Sequence, residues 1–308
     1  MKEVPNMAES AEELKEQLVQ MRKRDLREGQ VHLGPLEELF QAAETSEDLK
    51  GKDKIRMMSE IALMLGECNY WIVWFDLAEK GKEGGYCAEA RSWYEVAHFM
   101  LEPIKSPGIR ENISEINLRL DPIEKEAIMR GRDPDIKNDI LGYLAEHGLW
   151  EVLRIENRLK AIPDGDRNRK AILLLKKANC LYKTRISAPE HTDWFSADRM
   201  AYGLCKTILD MQDDGADLWP GIIHKTVLSM LMRCPKIEYG DEDEPGVYRL
   251  EKKRYKELSK LLERGIENAK LMGDEFRSEA IYAFASAVRG QRTLGRQSET
   301  SRLHDLDS

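Results

Sequence analysis

Residues 74–103 read WFDLAEKGKEGGYCAEARSWYEVAHFMLEP, and the fold turns on how this stretch divides. Gly84 and Gly85 interrupt a helical pattern that resumes at once. Glycine takes the left-handed conformation that ends a helix, so the pair predicts a turn between two helices. After the turn, Ala90, Tyr94, Ala97 and Leu101 recur at spacings of four, three and four, one face of a helix. Before it, Trp74, Leu77 and Ala78 keep the same kind of spacing. Large residues alternate with alanines, so knobs on one helix can enter gaps on the other. Ala90 and Ala97 would let the two axes approach closely.

Those positions carry a resemblance. Trp74, Leu77, Ala78, Gly85, Ala90, Tyr94, Ala97 and, one residue late, Pro103 follow the order of a tetratricopeptide repeat. That motif has Trp, Leu and Gly on its first helix, a turn glycine, then Ala, an aromatic and Ala on its second helix, and Pro after it. Gly81 stands where the first helix usually has a further aromatic. The phrase YLAEHGLWEVLRIENRL, within 136–162, is similar at one residue shorter spacing. In 255–288, Ala280, Phe284 and Ala287 copy the small, aromatic, small triplet. The resemblance implies an all-α solenoid of stacked antiparallel helical hairpins with no sheet. It also implies that partner-facing residues come from the first helix of each hairpin, here Ile72, Phe75, Glu79 and Lys82.

The rest of the 308 residues fits that class. Charged residues reach 34 % and hydrophobic ones 42 %, a balance suited to exposed amphipathic helices. Ser10 with Glu13 has capping-box spacing and opens a helix expected to reach about Glu28. A second is expected after Gly34-Pro35, and a long one from about Lys54 to Lys80. The run Tyr70 to Phe75, apolar all round, is expected at the centre of the N-terminal core, with an aromatic ligand pocket as the sharper alternative. Asp121-Pro122 predicts a helix start, and Cys234-Pro235 a helix end. Further helices are expected over Ile136–His147, Leu149–Ile162, a stretch reaching about Arg185, Phe195–Met211, Ile222–Met232 and Tyr255–Met272. The array is expected to cover 1–291, with a sub-boundary near 184–192 and a disordered polar tail at 292–308.

Chemistry is hard to find. The five cysteines, Cys68, Cys87, Cys180, Cys205 and Cys234, are scattered and suggest neither a disulfide framework nor a zinc site. Glu95-x-x-His98 has the spacing of a di-iron carboxylate motif but lacks a second copy. No phosphate-cradling glycine loop or nucleophile elbow occurs. No enzyme activity and no cofactor are therefore expected. A net charge of −8 disfavours non-specific nucleic-acid binding, although Lys252, Lys253, Arg254 and Lys256 form a basic cluster that would carry that alternative. No apolar run is long enough to span a bilayer, and no secretory leader is read at the N-terminus, so the cytoplasm is the expected compartment. The leading expectation is an interaction module that binds a peptide or helix of another protein.

Overall fold

The structure, a computed structural model, describes residues 10–80, 85–101, 107–130, 149–187, 194–237, 260, 261, 263–268 and 271. Of these, 86 % are helical and none lies in a strand, so the chain is all-α over its described length. The helices are α1 (Ala11–Arg22), α2 (Gly29–Thr45), α3 (Gly51–Lys80), α4 (Tyr86–Leu101) and α5 (Pro107–Met129). They continue as α6 (Trp150–Ala161), α7 (Arg167–Ser187), α8 (Trp194–Asp213) and α9 (Pro220–Ile237). The chain divides into two compact units. One is Met1–Lys137 with Glu156–Leu173, and the other is Asn138–Ile155 with Leu174–Ser308. The first half of the degraded repeat near 136–162, residues 136–148, lies outside the described residues, while α6 falls in its second half. The Ala280, Phe284, Ala287 triplet and the tail also lie outside the described residues.

The first unit is built on α3, which packs against α2 on one side and α4 on another. Thirty residues make it about 45 Å long, nearly twice either neighbour. Two glycines set its crossings. A Cβ on Gly66 would come within 2.7 Å of the Tyr94 ring, so the ring lies directly on α3. A Cβ on Gly29 would meet the Cys68 carbonyl at 2.5 Å and Ile72 at 2.8 Å, so the start of α2 lies equally close. Ala90, Tyr94 and Ala97 are all buried, as the small, aromatic, small spacing predicts. Burial also holds the Tyr94 phenol well above its usual range, so it stays protonated.

The other half of the hairpin is turned from its expected register. Trp74 was expected to face α4, yet it is 40 % exposed, and Phe75 is 51 % exposed. Ile72, Val73 and Asp76 are buried in their stead. The reason is that α3 is gripped from two sides, so its buried arc is wide and its outermost positions fall to the two large aromatics. Gly85 fills its expected role, with φ +95 and its carbonyl accepting from Ala88.

Local signals decide some ends and not others. The capping box is formed: Glu13 N–H donates to Ser10 Oγ, and Ser10 N–H donates to Glu13 Oε2. However, α1 stops at Arg22 and not near Glu28. Lys23 and Arg24 N–H close tight turns onto Gln20 and Met21, and the Asp25 carboxylate then takes the Arg27 N–H and guanidinium. Helix α2 runs through Pro35, and α5 runs through Asp121-Pro122. Each proline removes one amide, but packing on both flanks carries the helix across. Asp121 lies inside the helix there and accepts from Arg91. Lys54 Nζ donates to the carbonyls of Glu44 at 2.6 Å and Ser46 at 3.1 Å, satisfying acceptors at the end of α2.

In the second unit, α8 and α9 pack as consecutive helices. Ala201, Cys205, Ile208 and Leu209 face Ile222, Ile223, Val227 and Met230 in its core. Gly215, with φ +85, ends α8 in a Schellman turn in which Ala216 N–H reaches Met211 at 2.9 Å. Arg264 then donates to the Leu209 carbonyl at 2.9 Å and to Gln212 Oε1 at 2.6 Å. Helix α9 passes Cys234-Pro235 and reaches Ile237. His224 is buried on α9, and burial, with repulsion from Lys225, pushes its imidazole down to about 4.

Two predictions follow from this packing. Gly66→Ala raises intrinsic helix propensity, yet it should destabilise the protein by about 1–3 kcal/mol, and Ala90→Leu should do the same. A melting temperature unchanged by both would place the α3–α4 contact elsewhere. The unfolded chain protonates His224 near its ordinary value of about 6.5, whereas the folded chain resists protonation down to about 4. Stability from this group is therefore complete above the unfolded value and falls as pH drops through that window, by up to ~3 kcal/mol. His224→Gln should flatten that part of the curve of denaturation midpoint against pH.

Candidate functional site

Between Met57 and Asp76, the positions of α3 that are not buried are Glu60, Leu63, Glu67, Trp71, Trp74 and Phe75. Steps of three and four place them on one stripe. The stripe continues through Ala78, which is exposed. The remainder of α3 there is covered by its neighbours, and its buried polar groups are satisfied within the helix. Asn69 donates to the Leu65 carbonyl, Ser59 to the Arg56 carbonyl, and Asp76 accepts from Lys80 at 2.8 Å. What reaches solvent is thus a seam whose C-terminal half is aromatic.

The rings of that half are fixed from below. Tyr70 is buried and meets Trp71 edge to face at 5.5 Å and Trp74 at 6.1 Å. Such contacts orient rings as well as adding burial. Arg119 of α5 donates to the Tyr70 hydroxyl and to Glu115, and both partners hold its charge in place. The other exposed large apolar residues among those described, Val19, Val31, Leu118, Met200 and Leu271, lie outside α3. Trp74 and Phe75 are consecutive and sit beside a third aromatic, so they form a patch.

The positions expected to face a partner separate here. Phe75 and Glu79 are exposed on or beside the seam. Ile72 is 2 % exposed and lies against Gly29, so its side chain belongs to the core. Lys82 lies outside the described residues, as do Lys252, Lys253, Arg254 and Lys256. Tyr70 to Phe75 is not one buried cluster: Tyr70, Ile72 and Val73 are core, while Trp74 and Phe75 are surface. Sequence reasoning missed Trp71, Trp74 and Glu67 as surface residues. The signal was present in their regular spacing from Leu63, but a run apolar on all sides hid it.

A second feature went unread in the sequence: arginines inside the first unit. Arg158 is fully buried and grips Glu124, itself 1 % exposed, through Nε at 2.8 Å and Nη2 at 3.1 Å. Arg91 Nε lies 3.1 Å from Glu124, and Arg91 also donates to Asp121 and to the Asn117 carbonyl. Arg169 lies over the Trp93 ring at 4.4 Å and donates to Glu89 at 2.6 Å and Ser92 at 3.2 Å. These groups spend their valences on one another. Glu95, the carboxylate of the Glu-x-x-His spacing, faces Arg158 at 3.7 Å, while His98 is exposed. Among the described residues no group of three His, Cys, Asp or Glu could hold a metal ion. These contacts tie α4 to α5, to the end of α6 and to the start of α7.

A shallow groove of about 280 Å³ separates α1 from α2, lined by Gln17, Gln20, Met21, Pro35, Glu38, Leu39 and Ala42. Leu39 on its floor is already core, at 3 % exposure. Among the described residues no helix is long and apolar enough to cross a membrane. No protein-family model, no curated protein and no solved structure matches the chain.

Arg158→Ala should cost about 3–5 kcal/mol, because it leaves the Glu124 carboxylate buried with reduced compensation. Combining Arg158→Met with Glu124→Leu should recover most of that loss in urea unfolding. A single variant as stable as the parent would mean the pair is hydrated.

Proposed function

We propose that this chain is a protein-interaction module that binds a peptide or helix of another protein along the exposed seam of α3. The observation that carries the reading is the pair Trp74 and Phe75, 40 % and 51 % exposed, held on a helix that is buried at most positions between Met57 and Asp76. Rigid aromatic anchors dominate the energy of protein interfaces, since they add large apolar area and lose little rotamer freedom on binding. A rigid helix bearing them also keeps the surface preorganised. Helix-on-helix docking reads such a surface at steps of three and four, the spacing of Leu63, Glu67, Trp71 and Trp74.

In this reading the α3–α4 pair is one unit of a tetratricopeptide-like array. Buried Ala90, Tyr94 and Ala97 support the second helix of that unit. The outward turn of Trp74 moves the contact surface from the motif's usual inner positions to the seam. The chain acts as a scaffold or regulator, without chemistry of its own.

Trp74→Ala and Phe75→Ala should each weaken a bound partner by about 2 kcal/mol, roughly 30-fold in Kd, with little change in melting temperature. Calorimetric titration against a partner recovered from the native source tests this. Affinity unchanged in both variants would remove the seam as the binding surface.

A further inference from the structure

The seam carries charge as well as rings. Glu67 lies one turn before Trp71, and Glu79 lies one turn after Phe75. The first is half-exposed and the second exposed. Twelve residues of helix separate them, about 18 Å. Among the described residues, Lys80 at the end of α3 pairs with Asp76 at 2.8 Å, and Arg119 pairs with Glu115 at 2.6 Å. Arg56, exposed on the same stripe, lies eleven residues before Glu67, a further ~16 Å away. The aromatic half of the seam is therefore an apolar ridge with a carboxylate at each end.

We infer that the seam's occupant is a basic amphipathic segment of a partner protein, with apolar side chains on the rings and Lys or Arg at each end. The inference rests on the docking reading above and supplies the partner's chemistry. Two carboxylates about 18 Å apart along the helix axis match cations spaced eleven or twelve residues apart on a helix lying along α3. The exposed indole of Trp74 adds a favourable face for a guanidinium or ammonium group. An acidic segment would meet like charge at both ends, and a phosphate backbone would meet the same repulsion. Charge here selects the partner, and the rings hold it.

The test is selection from a displayed library of random 16-residue peptides against the full chain, with counter-selection on Trp74→Ala. Peptides lost on Trp74→Ala should carry Lys or Arg flanking an apolar centre. For such a peptide, Glu67→Gln with Glu79→Gln should raise Kd about 3- to 10-fold at low salt, and the difference should shrink at 0.5 M salt. Trp74-dependent peptides that are neutral or acidic would overturn this inference and leave the docking reading standing. The absence of any Trp74-dependent peptide would overturn both. A dimer that dissociates on Trp74→Ala would make the occupant a second copy of this chain, which also overturns the inference.

Discussion

The first unit depends on an aromatic ring seated where a side chain is missing. Tyr94 lies against Gly66 so closely that one carbon would not fit between them. That contact fixes the distance between α3 and α4 and their rotation about each other. Gly29 fixes α2 against the opposite flank of α3 in the same way. Once both neighbours are set, α3 has no freedom to choose which residues it exposes. Its outward stripe is whatever the two contacts leave over, and what they leave over is Trp71, Trp74 and Phe75. The candidate site is thus a by-product of core packing, built on a rod and not on a loop. A surface on a helix clamped from two sides holds its shape without a ligand, which lowers the cost of ordering on binding.

Much of this was legible in the sequence, and the failures have physical causes. The capping box at Ser10 and the alanines flanking Tyr94 were readable because each is decided within one helical turn. The prolines misled. Pro35 and Pro122 mark a helix start by local chemistry, but tertiary contacts on both sides outweigh the loss of one amide each. The end of α1 was missed because no glycine or proline marks it; an aspartate turned back onto the chain does that work.

The seam was half legible. Phe75 and Glu79 were placed outward, whereas Ile72 was misplaced because a resemblance transfers a register and not a packing environment. Trp74 was given the knob position that its size suggests. Which large residue becomes core depends on the width of the covered arc, and that arc is set by α2, invisible within the 74–103 stretch. The arginine network could not be read at all as contacts. Arg169 meets Glu89 eighty residues away, and Arg158 meets Glu124 thirty-four residues away. A faint signal did exist: Glu124 follows Leu120 by one turn on the buried stripe of α5, and a charge in that place calls for a partner.

That burial of Glu124 also bears on how the chain reaches its structure as it is made. Arg91 precedes Glu124 in the sequence and can meet it while the nascent chain is short. Arg158, which supplies the paired contact, emerges thirty-four residues later. Until then, one face of that carboxylate must stay wet, so α4 and α5 cannot close fully over it. Arg169, which joins Glu89 and Ser92 of α4, comes later still, so the buried ion pairs of the first unit close only once the chain has been made past residue 169.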